Sequence, residues 1–439
     1  MSDFNNKEPE SSSRRGFVAA LGVSAAAPWW NHVSPGAPPP APQRPSGPPA
    51  GGAVPPFDRL PSLRDRITPI PEPEYLERQE KARRKMAEAK LDAILLTGGS
   101  SLLYFAGLTW GRSERVFAAV LPSRGEIIYI CPAFERRRAE EQIRFGKDVR
   151  AWEEDESPYA LLRRALRERG VRRLGIEETV AYFVSAGLAR EAPQVEQAPA
   201  DPVTAGCRMR KSPRELALME AAGEATRNAV RAAFTRLGEG MTPRQLSELI
   251  AAAHAQQGVR GGFALVGFGQ ASAFPHGSSM TQQLRKGDIV LVDTGCSVEG
   301  YQSDLTRTIV FGPPSDRQRR VWEIVKKAQA AALAAARPGV AAEAVDRAAR
   351  GVIEDAGFGP GYKFFTHRLG HGIGLDGHEW PYIVRGNKLL LEPGMTFSDE
   401  PGIYIYGEFG VRLEDVMTIT ETGARLLTLQ SQALGEADG

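Results

Sequence analysis

The sequence predicts an α+β protein: a small α/β domain followed by a larger domain made of one helix and antiparallel-strand unit that occurs twice. The duplication rests on spacing. A phrase of leucine, glycine and an acidic residue ends at Asp293 and recurs, with the same intervals, ending at Glu400. In each copy a second acidic residue and then a threonine follow, with Asp304 in the first copy and Glu414 in the second. Two strand pairs that each bring two carboxylates together are therefore expected.

Length and composition fit this architecture. A chain of 439 residues is too long for one ordinary hydrophobic core, so two domains are expected. Its 42% hydrophobic and 25% charged residues are typical of a soluble globular protein. The formal net charge of +2 gives no reason to expect binding to nucleic acid or to an anionic membrane. The cysteines are few and far apart, which excludes a disulfide framework, and Cys296 is expected to be a small buried residue.

The N-terminal segments are expected to lie outside the fold. Residues 1–27 are predicted to be a twin-arginine-type signal peptide, because Arg14 and Arg15 precede an apolar run that is too short to span a bilayer. Residues 28–72 are rich in proline and are predicted to be a disordered linker. We therefore expect an exported, periplasmic protein without stable membrane association once the signal is removed.

The N-terminal domain is predicted over residues 73–204. Charged residues at helical spacing begin it, and the apolar residues 91–97 read as a strand. Residues 116–121 and 125–130 flank a Pro-Ser-Arg-Gly turn, which predicts a hairpin. Helices and a strand then alternate, as is typical of α/β folds.

The C-terminal domain is predicted over residues 205–430, followed by a tail at 431–439. Ser212 is a predicted helix cap, since Pro213 suits the first helical position and Glu215 completes a capping box. The two predicted strand pairs are 288–293 with 301–311 and 396–400 with 410–420.

The acidic residues of the two strand pairs predict a site for two divalent metal ions. Asp293 ends an apolar run, where an unpaired charge would be costly. Four carboxylates balance the charge of two divalent ions, and His371 adds a nitrogen ligand. This oxygen-rich set favours Mn²⁺ or Co²⁺ over a thiolate zinc site. Such a pair of ions would lower the pKa of a shared water from about 16 toward about 7, so that hydroxide forms at neutral pH.

Histidines strengthen the interpretation of a catalytic site. His371 lies in a glycine-rich run together with His378, and His367 immediately precedes that run. Glycines would let the backbone pass close to metal ions and substrate. A lone histidine is usually structural, but three within twelve residues are not typical of a protein core.

These motifs resemble those of the creatinase, prolidase and aminopeptidase P group, metallopeptidase family M24, which has the pita-bread fold. The resemblance covers roughly residues 74–428. The motifs that carry it are Phe-Pro-His276-Gly, Val-Asp293-Thr-Gly, Ser-Asp304-Leu-Thr-Arg-Thr, Gly-His371-Gly-Ile-Gly, Asp-Glu400-Pro-Gly and Arg412-Leu-Glu414-Asp. The implied architecture is a pita-bread catalytic domain preceded by a smaller creatinase/prolidase-like domain.

The resemblance also implies a role for each metal ligand. Asp293 would bind one ion, while His371 and Glu400 would bind the other. Asp304 and Glu414 would bridge the two ions. Glu400 would also be the general base for the bridging water.

Four further residues receive catalytic roles from the resemblance. His276 would contact the substrate or carry protons. His367 and His378 would hydrogen-bond the scissile carbonyl or stabilise the tetrahedral intermediate. Arg412 would orient the groups next to Glu414.

The activity implied by the resemblance is hydrolysis of the Xaa-Pro bond at the N-terminus of dipeptides or short peptides, by a metallo-exopeptidase. Two divalent ions are expected, with manganese first and cobalt or zinc as alternatives. The expected partners are short proline-containing peptides and a second copy of the chain, in a homodimer or larger homo-oligomer. A creatinase-like non-peptidase hydrolase or lyase is the alternative, and an inactive binding module is a more remote one. Whether dipeptides or longer peptides are preferred stays open.

Overall fold

The computed structural model describes residues 56–58 and 60–434. The predicted signal peptide and most of the predicted linker therefore lie outside the described residues, as does the end of the C-terminal tail. No helix among the described residues is long and apolar enough to cross a membrane.

The predicted disordered linker extends too far toward the C-terminus. Phe57 and Leu63 are buried, and Phe57 exchanges two hydrogen bonds with the side chain of Gln256, each of 2.7 Å. The backbone N–H of Leu63 also donates to the carbonyl of Gln257 at 2.9 Å. The end of the predicted linker therefore packs against the protein. The prediction was wrong here because the high proline content outweighed the few apolar residues in this segment.

A six-stranded mixed sheet forms the N-terminal part of the fold, with strand order β4-β3-β2-β1-β5-β6. Its elements are α1 (Glu72–Ala89), β1 (Ala93–Thr97), α2 (Ser100–Ala106), β2 (Ala118–Pro122), β3 (Ile128–Pro132), α3 (Arg136–Gln142), β4 (Asp148–Trp152), α4 (Pro158–Glu168), β5 (Arg173–Ile176), α5 (Tyr182–Glu191) and β6 (Glu196–Pro199). The predicted first strand and the hairpin are confirmed. The sequence reasoning missed α2 and α5, because neither has a strong amphipathic period.

Helices α6 (Thr204–Arg208), α7 (Pro213–Phe234) and α8 (Pro243–Gln256) lead into the C-terminal part. The predicted capping box at the start of α7 is confirmed. Ser212 accepts a hydrogen bond from the backbone of Glu215, whose carboxylate accepts one from the backbone of Ser212 at 2.7 Å. This cap fixes where the long helix begins.

The C-terminal part contains the remaining strands and two long helices. They are β7 (Arg260–Phe268), β8 (Ile289–Val298), β9 (Tyr301–Gln302), β10 (Leu305–Val310), α9 (Asp316–Ala335), α10 (Ala342–Asp355), β11 (Gly370–Gly372), β12 (Glu379–Ile383), β13 (Thr396–Asp399), β14 (Gly402–Ile405), β15 (Phe409–Arg412), β16 (Asp415–Ile419) and β17 (Ala424–Leu426). The sheets have the orders β10-β8-β7, β12-β11-β13-β16-β17 and β14-β15.

The two predicted strand pairs exist as β8 with β10 and β13 with β16, both antiparallel. The prediction of one continuous strand over 410–420 is wrong. The chain leaves β15 at Arg412 and enters β16 at Asp415, so Glu414 lies in the break. There Glu414 bridges to Thr306, with its N–H donating to the Thr306 carbonyl at 3.1 Å. This bridge joins the two copies of the unit.

The two parts share a hydrophobic core. One buried cluster includes Leu102 and Phe105 of α2 together with Cys296 of β8 and Val416 of β16. Cys296 is fully buried, as the sequence predicted. The described residues form one compact unit, so the predicted domain limits at 204 and 430 stay predictions.

Candidate metal centre

The five predicted metal ligands converge from both copies of the duplicated unit. Asp293 lies in the middle of β8, and Asp304 lies in the gap between β9 and β10. Their ligand atoms and those of Glu414 lie within 4.8 Å of one another. A second group, with the same spacing, consists of His371, Glu400 and Glu414. Because Glu414 belongs to both groups, they form a single cluster.

This cluster carries more negative charge than the surrounding protein neutralises. Burial, together with the charges of Asp293 and Glu400, raises the pKa of Asp304 well above its ordinary value. Burial and the charge of Asp304 do the same to the pKa of Glu414. Burial also raises the pKa of Glu400 to about 7. The Oδ1 atoms of Asp293 and Asp304 are buried without a hydrogen-bond partner among the described residues.

A pair of divalent cations fits this donor set. Hard, oxygen-rich sites suit such ions, and the ions would supply the positive charge that the cluster lacks. Among the described residues, the one cation in contact with the cluster is Arg412, whose Nη2 lies 2.6 Å from Oδ2 of Asp293. A single guanidinium cannot balance four buried carboxylates.

The geometry of His371 suits a nitrogen ligand. Its Nδ1 lies 3.1 Å from the carbonyl of Gly372, so Nδ1 carries the proton and the lone pair of Nε2 faces the carboxylates. Nε2 lies 3.3 Å from Oε1 of Glu400 and 3.7 Å from Oδ2 of Asp304. Burial, and then the nearby ring of His378, lowers the pKa of His371 to about 3. The imidazole is therefore neutral at physiological pH, as a ligand must be.

His367 is part of a hydrogen-bond chain beside the cluster. Its Nδ1 lies 2.7 Å from the carbonyl of Arg368, and its Nε2 lies 2.7 Å from the hydroxyl of Tyr404. Nη1 of Arg412 donates to the same hydroxyl at 2.9 Å. Burial, and then the charge of Arg412, lowers the pKa of His367 to about 3. Both ring nitrogens of His367 are thus engaged with protein atoms, and Tyr404 is the member of the chain that links it to Arg412.

His378 and His276 line the solvent side of the cluster. The ring of His378 stacks on that of His371 with centroids 3.7 Å apart, and its Nδ1 lies 3.3 Å from Nη2 of Arg368. His276 is exposed on the loop after β7. It lies near enough to His378 and His367 to lower the pKa of both by charge repulsion. These two exposed rings mark the side from which a substrate can enter.

Several supporting residues were missed by the sequence reasoning. The hydroxyl of Thr306 donates to Oε2 of Glu414 at 2.7 Å and accepts from Nε of Arg412 at 3.0 Å. The hydroxyl of Ser398 donates to Oε1 of Glu400 at 3.1 Å and accepts from the backbone of His371 at 2.9 Å. The repeated sequence pattern instead pointed to Thr308 and Thr418, the threonines that end the two copies. Alternation within the predicted strand 301–311, which puts Thr306 on the same face as Asp304, was the available signal.

A buried ion network holds the segment that carries His378. Nη2 of Arg208 lies 2.6 Å from Oδ2 of Asp376 and also contacts Glu379. Nζ of Lys211 lies 2.6 Å from the other oxygen of Glu379. Since Arg208 ends α6 and Asp376 and Glu379 flank His378, this network ties the loop that carries His378 to the junction between the two parts of the fold.

A buried group of carboxylates with one imidazole, bordered by further histidines, is typical of hydrolases that use divalent metal ions. Comparison with known proteins agrees. The chain matches the model of metallopeptidase family M24 over residues 217–421 and that of the creatinase/prolidase N-terminal domain over residues 78–210. It belongs to metallopeptidase family M24, and it is a metal-dependent hydrolase with the pita-bread fold.

The match to individual relatives extends over nearly the whole length of each relative. The chain is 33% identical to an Xaa-Pro dipeptidase of Pyrococcus furiosus over 360 residues, which are 82% of this chain and 99% of the relative. The crystal structure of dipeptidase PepE from Mycobacterium ulcerans matches with a TM-score of 0.78 and 35% identity, over 84% of this chain and 99% of that one. A prolidase from Thermococcus sibiricus matches with a TM-score of 0.76 and 34% identity, over 82% and 98%. The predicted family, fold class and enzyme class are confirmed.

Proposed function

We propose that this metallopeptidase hydrolyses the Xaa-Pro bond of dipeptides and short peptides with two divalent metal ions, manganese first among them. The observation that carries the proposal is the single cluster in which Asp293, Asp304, His371, Glu400 and Glu414 lie together. The names of the relatives, Xaa-Pro dipeptidase and prolidase, support the substrate class. The cluster has the ligands for two ions, and the three other histidines around it provide groups for substrate binding and proton transfer.

Two divalent ions bound at the cluster would supply an acidified water and a polarised carbonyl. The remaining work falls to side chains of the chain. Ser398 holds Oε1 of Glu400, so the second oxygen is available to accept a proton from the attacking water. This second oxygen lies 3.9 Å from Nδ1 of His367. Glu400 is therefore the proposed general base.

The other histidines complete proton transfer and binding in this proposal. When water adds to the carbonyl carbon and the C–N bond breaks, one proton must reach the proline nitrogen. His276 is exposed to the cleft and is the proposed carrier. His378 contacts the carbonyl oxygen, while His367 acts through the hydroxyl of Tyr404. Arg412 keeps Asp293 in place through their 2.6 Å ion pair.

Metal analysis and a peptide panel test this proposal. Purified protein should bind up to two divalent ions for each chain. It should release leucine from Leu-Pro and from Leu-Pro-Gly only when metal is present. Glu400→Gln should lower kcat by about 10²–10⁴-fold, the usual contribution of a general base. Glu421→Gln, at an exposed position, is the matched control and should keep normal activity.

Two outcomes would overturn the proposal. Metal-loaded protein that leaves every Xaa-Pro peptide intact would exclude the peptidase activity and favour a creatinase-like reaction. A folded Glu400→Gln variant with full activity would exclude the assigned base. The ratio of Leu-Pro to Leu-Pro-Gly cleavage also measures the preference for dipeptides over longer peptides.

Export and self-association extend the proposal. The paired arginines near the N-terminus support export to the periplasm, because the twin-arginine route carries folded proteins. Phe134 and Tyr182 support a homodimer, since these large side chains are 66% and 85% exposed. Cell fractionation and light scattering test the two points separately.

A further inference from the structure

Arg368, beside the metal cluster, carries a positive charge that pairs with no acidic residue in the described part of the chain. It lies directly between His367 and Leu369 and is half-buried. Its guanidinium has two contacts: Nη2 lies 3.3 Å from Nδ1 of His378, and the group lies over the ring of Tyr382, 4.4 Å from the centroid. A guanidinium has five N–H donors, so most of them remain available for a ligand.

The backbone around Arg368 is held by hydrogen bonds on both sides. The N–H of Leu369 donates to the carbonyl of Ile383 at 3.1 Å, and the N–H of Glu400 donates to the carbonyl of Leu369 at 3.0 Å. The carbonyl of Arg368 itself lies 2.7 Å from Nδ1 of His367. Arg368 therefore extends from a segment whose position is fixed relative to the cluster, as a binding residue requires.

Tyr382 places this guanidinium on the face of the sheet that carries the metal ligand His371. The two residues lie directly opposite each other across β11 and β12. Their side chains therefore point to the same face, with Cβ atoms about 5 Å apart. A guanidinium that lies over an aromatic ring keeps its N–H donors at its own edge, where they can bind a planar anion.

The contact with His378 connects Arg368 to the proposed reaction. Arginine can only donate, so Nδ1 of His378 accepts this hydrogen bond and Nε2 carries the proton of the neutral ring. Burial, and then the charge of Arg368, lowers the pKa of His378 below its ordinary value, which keeps the ring neutral. An Nε2–H is the donor that the proposed contact with the scissile carbonyl oxygen needs. Arg368 thus lies next to the histidine that would contact this oxygen.

The spacing suits a dipeptide. In Xaa-Pro the free carboxylate is one residue away from the scissile carbonyl, so a guanidinium nitrogen bonded to it lies roughly 7 Å from the scissile carbon. The ring of His378 stacks on that of His371 at 3.7 Å, and Nη2 of Arg368 lies 3.3 Å from Nδ1 of the same ring. This stack and this contact cover a comparable distance. One dipeptide can therefore reach the cluster and Arg368 at the same time.

Arg412, the other arginine of the site, is already engaged. Each of its three guanidinium nitrogens donates to a protein atom, and the accepting residues are Thr306, Tyr404, Pro275 and Asp293. Its side chain is also only 2% exposed. A substrate carboxylate at Arg412 would compete with its ion pair to Asp293, whereas Arg368 has donors that no described residue uses.

A free carboxylate is the group that complements Arg368. Carboxylate and guanidinium can form two parallel hydrogen bonds, and their opposite charges strengthen both. In a longer peptide a neutral amide takes the place of this carboxylate, so the interaction is weaker. We infer that Arg368 binds the free carboxylate of Xaa-Pro and thereby makes dipeptides the preferred substrates. This inference rests on the proposed function.

Two substrates that differ only in the terminal group test the inference. Leu-Pro and Leu-Pro-amide have nearly the same shape, but the second lacks the carboxylate charge. The wild type should show kcat/KM about 10- to 100-fold higher for Leu-Pro, the usual contribution of a hydrogen bond to a charged group. Arg368→Gln should remove most of this difference. Arg368→Lys should retain part of it, because lysine keeps the charge without the planar fork.

Arg385→Gln is the matched control, because Arg385 is an exposed arginine two residues beyond β12. It removes the same charge from the same part of the protein and should keep the wild-type ratio of the two substrates. Thermal midpoint and metal content, measured on the same samples, should show that each variant is folded and loaded.

Three results would count against this reasoning. A wild-type ratio near one would overturn the inference without any variant. A fall of both substrates by the same factor in Arg368→Gln would show that Arg368 acts only through His378, and it would also overturn the inference while the proposed function stands. Failure of the metal-loaded wild type to cleave any Xaa-Pro peptide would overturn both.

Discussion

Replacing Tyr404 with phenylalanine removes one hydroxyl from the centre of the hydrogen-bond chain beside the metal cluster. That hydroxyl lies 2.7 Å from Nε2 of His367 and 2.9 Å from Nη1 of Arg412. A hydrogen bond contributes a net of about 1 kcal/mol, and more when one partner is charged. Water replaces part of what is lost, so we expect about 2 kcal/mol less transition-state stabilisation, or about 30-fold lower kcat/KM.

The assay is steady-state hydrolysis of Ala-Pro at saturating metal, with metal content measured on the same sample. Tyr404 is not a predicted metal ligand, so the metal content should be unchanged while kcat falls. Tyr406→Phe is the matched control, because Tyr406 lies next to the same hairpin, is 60% exposed and has no hydrogen bond among the described contacts. A fully metal-loaded Tyr404→Phe protein with activity within threefold of the wild type would refute the reasoning.

The remaining predictions concern metal, acid and stability. Burial raises the pKa of Glu400 to about 7, and burial together with the neighbouring carboxylates raises the pKa values of Asp304 and Glu414, so the metal-free cluster takes up protons as the pH falls through neutrality. Metal binding should release these protons, so the metal affinity should rise from pH 6 to pH 8. Calorimetry in two buffers measures both the affinity and the protons released. A metal affinity that is independent of pH would contradict this prediction. Burial lowers the pKa of His254 from 6.5 to about 4. Below pH 6.5 the unfolded chain therefore binds a proton at this residue before the folded protein does, and the free energy of unfolding falls by about 3 kcal/mol by pH 4. His254→Gln should therefore lose less stability than the wild type in urea unfolding at pH 4, and an equal loss would show that His254 is not responsible. Arg208→Met leaves Asp376 without its charged partner and removes one of the two cations that pair with Glu379, so the melting temperature should fall by on the order of 10 °C. The exposed Arg124→Met is the control and should have the melting temperature of the wild type.

The sequence was sufficient to predict the candidate ligands, because a site for two metal ions makes strict demands on charge and spacing. Asp293 and Glu400 were recognisable from a repeated interval, and Asp304 and Glu414 followed from the same repeat. Helix caps were equally local: Ser212 and its partner Glu215 lie three residues apart, so their contact needs no knowledge of the fold. Features of this kind depend on short stretches of chain.

Other parts of the site were decided only by the tertiary structure. Tyr404 joins His367 to Arg412 across three segments, and nothing in its local sequence marks it for that role. The break that places Glu414 between two sheets arises because it bridges to Thr306 of the other copy. Glu414 and Thr306 are 108 positions apart, and Tyr404 and His367 are 37 apart. The energy of these pairings comes from burying polar groups together, a condition that exists only once both copies of the unit have packed.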